Sequence, residues 1–141
     1  MNNQIKTYIE KLKLKPPTTK EYLESFERKI GIQLPIEYRE FMLYSDGAEG
    51  MVGNSYLFIW SIRETMEINL LSAEDKTMCL NSESPPVICF GSDGSDTTYA
   101  FDKRTKDSSI ITFPLISIIS EEYKLCGNTF NEFLHNLYLG L

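Results

Sequence analysis

The segment ERKIGIQLPIEYREFMLYSDGAEG, residues 27–50, decides how the chain begins to fold. Pro35 suits the first turn of a helix, where its missing N–H costs nothing. Tyr38, Phe41 and Met42 follow at helical spacing, and Asp46-Gly47 ends the element with turn chemistry. The spacing therefore predicts a helix from Pro35 to about Ser45. Its aromatic face needs a broad apolar surface, for which a β-sheet is the natural candidate.

Upstream, Ile5, Tyr8, Ile9 and Leu12 recur at i, i+3, i+4 and i+7, which predicts an amphipathic helix over these residues. Pro16-Pro17 should stop it. Thr18 with Glu21 three residues on is a capping-box signature for a second helix, with Tyr22, Leu23, Phe26 and Ile30 inside and Gly31 past its end. Downstream, Tyr56 to Trp60 (YLFIW) is a β-rich run, and Ile62 to Leu71 reads as a short helix. Residues 72–86 form a polar loop closed by Pro85-Pro86. Val87 to Phe90 and Thr98 to Phe101 read as strands joined by GSDGSD, residues 91–96, with Gly91 and Gly94 supplying unusual dihedrals. Ile110 to Phe113 is a further strand, and Leu115 to Ile119 another or its continuation. Thr129 to Leu139 closes the chain as a helix with Phe130, Phe133, Leu134 and Leu137 on one face. The expected fold is α+β, a single domain over 1–141, with a mostly antiparallel sheet packed against N-terminal and C-terminal helices.

Composition narrows the function. The chain has 141 residues, 42% hydrophobic and 24% charged, so it is neither disordered nor membrane-like. The start lacks the uninterrupted apolar core of a secretory signal, and the cytoplasm is the expected compartment. Residues 1–30 hold seven Lys/Arg against four Glu, net +3; residues 31–141 hold seven against sixteen, net -9. Such a field repels phosphate backbones, which argues against nucleic-acid binding, and favours a basic protein partner. An acidic surface can also serve solubility alone.

Catalytic patterns are scarce. His135 is the only histidine, which excludes a multi-histidine metal site. Cys79, Cys89 and Cys126 are widely scattered, and Cys89, in VICF, reads as a core residue rather than part of a disulfide or metal framework. GSDGSD lacks the lysine of a phosphate-binding loop and the ligand spacing of a calcium loop. Asp93, Asp96 and Asp102 could converge for acid–base work, but no nucleophile, metal or oxyanion donor accompanies them. The residues point to a binding protein, with no catalytic site, cofactor or metal expected.

The ordered pieces resemble the SUKH superfamily, the Smi1/Knr4-like domains that include bacterial toxin-immunity proteins. Glu27 to Gly31 leads to Leu34-Pro35, Tyr38, Phe41 and Asp46-Gly47; YLFIWSIRETMEIN, VICFGSDGSDTTYAFD and TFNEFL follow in order, together covering most of residues 20–139. The resemblance implies a small α+β domain without enzymatic chemistry. It further implies an immunity protein that neutralises a polymorphic toxin, frequently a nuclease, encoded nearby. Other members act in regulatory complexes, so a general interaction or scaffold domain is the alternative reading. The shared positions are fold positions and do not mark a binding face. The acidic nature of the chain nominates Glu64, Glu67, Glu74, Asp75, Asp93 and Asp96 for contact with a basic nuclease domain, occluding its active site. An enzyme using Asp93, Asp96 and Asp102 is the third and weakest reading.

Overall fold

In the computed structural model, which describes residues 3–75, 87–103, 109–114 and 123–141, Pro35 is the N-cap of a helix, α3, spanning Ile36–Tyr44. Tyr38, Phe41 and Met42 are all wholly buried, as their spacing predicts. Before it lie α1 (Asn3–Ile9), a two-residue strand β1 (Lys13–Leu14) and α2 (Lys20–Ile30). After it come β2 (Ala48–Val52), β3 (Ser55–Ile59), α4 (Ile62–Asp75), β4 (Val87–Ser92), β5 (Thr97–Asp102), β6 (Ser109–Pro114), β7 (Lys124–Gly127) and α5 (Phe130–Leu139). The seven strands form one antiparallel sheet in sequence order, β1 to β7. The fold is thus an α+β domain, and its N- and C-terminal helices, α1 and α5, touch: the Tyr8 hydroxyl is hydrogen-bonded to Nδ1 of His135.

Boundaries shift where local signals compete. The first helix ends at Ile9 rather than Leu12; Leu12 is buried beyond it, its N–H on the Ile9 carbonyl at 3.0 Å. Lys13 and Leu14, expected in or after a helix, instead pair with Glu49 and Ala48. Thr19, not Thr18, caps α2, accepting the Tyr22 N–H. Tyr22 itself is 38% exposed rather than buried, and Ile30 only partly buried. Helix α4 continues through Asp75, into the stretch expected as loop. The rest of that loop and the strand expected over Leu115 to Ile119 lie outside the described residues.

The sheet has two apolar faces. Alternation along β4 sends Ile88 and Phe90 to one side and Val87 and Cys89 to the other. On the first, helices α1, α2, α3 and α5 close an aromatic centre: Tyr38 meets Phe101 edge-on at 5.0 Å, and Phe90 stacks on Phe101 at 4.4 Å. On the second, Trp60, Val87, Cys89, Ala100, Ile111 and Phe113 form a smaller cluster. Cys89 is wholly buried, as expected, but disulfide-bonded rather than a free thiol; its bonded partner lies outside the described residues.

The residues shared with the resembling family act structurally. Glu27 Oε2 accepts the Leu34 N–H at 2.7 Å and so ties α2 to the segment that starts α3. Asp46, just past the α3 C-cap Ser45, accepts the Ile62 N–H on Oδ1 at 2.8 Å and so satisfies a backbone donor at the start of α4. Gly47 has φ +89°, and a Cβ there would stand 2.6 Å from the Ile59 carbonyl oxygen. Where β3 stops pairing with β4, α4 replaces it. Asn69 Oδ1 accepts the Cys89 N–H at 3.0 Å, and its Nδ2 donates to the Cys89 and Thr65 carbonyls at 2.8 and 2.7 Å. One buried side-chain amide thus serves as a strand partner.

Candidate partner-binding surface

The nominated acidic residues fall on two elements rather than in one patch. Ser61 precedes α4, and Glu64 reaches back to accept its N–H at 3.1 Å while the Ser61 hydroxyl accepts the Glu64 N–H at 3.1 Å. This is a capping box, so the Glu64 carboxylate is already committed to the helix start. Glu67, one turn on, is exposed and pairs with Arg63 at 3.2 Å. Both ends of that pair are wet, so it adds little stability and leaves the carboxylate available. Glu74 and Asp75 lie in the last turn of α4, with side chains outside the described part of the structure.

Asp93 and Asp96 sit in the β4–β5 loop. Asp93 Oδ1 accepts the N–H groups of Ser95 at 2.9 Å and Thr97 at 3.2 Å, which closes the loop locally. Gly94, at φ +81°, has the unusual dihedral expected of it, whereas Gly91 does not. Gly91 is needed for a different reason: a Cβ there would meet the Phe58 carbonyl oxygen at 2.4 Å. Asp96 is exposed at the tip. Asp102, by contrast, ends β5 and is buried, opposite Val87 and Ser109. Six strand steps separate it from Asp96, roughly 20 Å at the usual rise. The three aspartates do not converge, and the geometry gives no support to the acid–base reading. Among the described residues no group of three His, Cys, Asp or Glu side chains is placed to hold a metal.

Sequence reasoning missed the residues beside that loop. Cross-strand register places Glu49 opposite Phe58 and Met51 opposite Tyr56, on the sheet face away from the α-helical core. Glu49, Tyr56, Phe58, Asp93 and Gly94 line an open cavity of about 410 Å³. The Tyr56 hydroxyl donates to Glu49 Oε2, and the carboxylate raises the Tyr56 phenol above its ordinary pKa. Lys15 Nζ lies 5.8 Å from the centre of the Phe58 ring.

Further cavities flank the fold, among them a small one of about 210 Å³ between Tyr8, Lys11 and Tyr138 and two larger ones. One, of about 520 Å³, shares Asp93 and is lined also by Tyr99, Lys124, Leu125, Cys126 and Leu141. Burial pushes the free Cys126 thiol up to about 11 and the Tyr99 phenol well above its usual range. The other, of about 390 Å³, lies at the end of α2 beside Glu24, Glu27 and Arg28. Its Glu27 carboxylate is occupied by Leu34 and stands 3.8 Å from Arg39, so it serves the fold.

Among the described residues, five helices and a seven-stranded antiparallel meander make a small α+β domain. The sequence profile of the SMI1 / KNR4 family (SUKH-1) matches residues 17–136, and the chain belongs to that family. Its members are generally non-catalytic domains. No curated protein matches the chain significantly. Among the described residues no helix is long and apolar enough to cross a membrane.

Proposed function

We propose that this protein is an immunity protein that binds and neutralises a basic protein toxin, a nuclease domain encoded beside it, by covering the toxin's active site. Membership of the SUKH-1 family over residues 17–136 carries the reading, and the net charge of -9 over residues 31–141 gives it a mechanism. A nuclease holds phosphates with lysines and arginines, and carboxylates presented on α4 and the β4–β5 loop meet those groups in place of substrate. The exposed Glu67 and Asp96 contribute to that field, while Glu64 and Asp93 are held by their own helix and loop. Co-expression with the adjacent toxin domain tests the proposal. Rescue of growth, with a stoichiometric complex on purification, is the expected result. Absence of rescue together with recovery in a multi-protein assembly would replace it with the scaffold reading.

A further inference from the structure

The cavity between the β2–β3 face and the β4–β5 loop has a distinctive feature: a cation of the chain's own already stands over one of its rings. Lys15 Nζ is 5.8 Å from the Phe58 centroid, near the outer limit of roughly 6 Å at which a ring face still attracts a cation. The contact is therefore weak and displaceable. Beside it, Glu49 spends Oε2 on the Tyr56 hydroxyl, while its Oε1 makes no hydrogen bond among the described residues. Asp93 spends Oδ1 on the loop amides and closes the opposite wall.

We propose that this cavity receives one arginine side chain of the protein partner, and that Lys15 holds its place in the free protein. The inference rests on the reading above that the partner is basic. A guanidinium suits the walls better than an ammonium. Its plane stacks on the Tyr56 or Phe58 ring, and its fork of donors reaches the free Glu49 oxygen. With about 410 Å³ available, the site takes the side chain without moving the sheet.

The test does not require the toxin. The probe is the blocked peptide acetyl-Gly-Arg-Gly-amide, titrated into the ¹⁵N-labelled protein, with the citrulline peptide as its neutral isostere. Saturable shifts of the Tyr56, Phe58 and Gly94 amides with the arginine peptide alone are expected. Glu49→Gln should weaken binding about three- to tenfold, the range of a partly exposed ion pair plus ring contact. Lys15→Met should tighten it about threefold. Lys6→Met, the same charge change on α1 away from the cavity, should not. A flat titration, an equal response to citrulline, an unchanged affinity in Glu49→Gln, or equal effects of Lys15→Met and Lys6→Met would overturn the proposal. Failure of toxin rescue with intact peptide binding would remove the immunity reading and leave the cavity's assignment standing.

Discussion

Phe41 is wholly buried between α3 and α5, its ring 5.7 Å from that of Phe130. Phe41→Ala removes that contact and leaves a cavity in the core, so it should cost about 3–5 kcal/mol by urea denaturation. A loss below about 1 kcal/mol would show that the ring is not packed as described. At this scale the sequence was most legible where a residue type has one plausible use. Pro35 at a helix start and Phe133 on an apolar stripe are such cases. It was least legible where two neighbours compete for one role, as Thr18 and Thr19 do for the α2 cap. Cys126 gives a second residue-scale test. Its thiol is raised from 9.0 to about 11 by burial, so at pH 8 its thiolate fraction falls about a hundredfold below that of an unperturbed thiol. Alkylation by iodoacetamide, followed at that cysteine by peptide mass spectrometry, should slow by about the same factor. It should recover in denaturant. The linked stability has a definite sign: the folded-state pKa is the higher one, so the contribution is complete below pH 9 and disappears as pH rises toward 11.

Elements were readable in proportion to their length and regularity. α2, α3 and α5 announce themselves by apolar period, and β4, β5 and β6 by dense apolar runs. β1, β2 and β7 do not: β1 has only two residues, β2 reads AEGMV with a glycine at its centre, and β7 is the short KLCG. The Gly53-Asn54 pair between Val52 and Ser55 was the available signal for β2, since that dipeptide favours a two-residue hairpin turn. Missing β2 hid Glu49, and with it the cavity; half of that site, Asp93 and Gly94, was visible only as a loop. The junction of α4 with β4 depends on long-range geometry that no periodicity reports. There Asn69 satisfies the Cys89 backbone on both sides. Asn69→Ala removes a hydrogen bond from the buried Cys89 N–H and another from its carbonyl, at about 1–3 kcal/mol each, so a loss of about 2–6 kcal/mol is expected. The Cys89 amide should also exchange with solvent far faster than its neighbours in β4. Normal protection of that amide in the variant would mean that the strand edge is covered by something other than α4.

Across the whole molecule, charge is segregated along the chain. α1, β1 and α2 lie in residues 1–30, net +3, while the rest of the sheet, α4 and the β4–β5 loop belong to the part with net -9. For a basic partner of the kind proposed, the net negative charge of the domain speeds the encounter before contact. Exposed charges are screened beyond about 10 Å at 0.1 M salt and about 3 Å at 1 M. Steering should fade over that range, while contacts made after desolvation should not. Association with the proposed toxin domain should therefore slow by about tenfold or more from 0.05 to 0.5 M salt, with dissociation changing far less. Charge reversal offers the matching test at fixed salt, and the structure chooses where to make it. Glu64→Lys would break the α4 capping box, and Asp93→Lys would open the loop, so a slower association in either would confuse folding with steering. Glu67→Lys and Asp96→Lys change exposed side chains and preserve both devices. Each should reduce the association rate while leaving the urea midpoint within a few tenths of a molar of the parent. Association that ignores both salt and charge reversal would eliminate the electrostatic mechanism. Apolar contacts would then have to supply the orientation as well as the tightness of the complex.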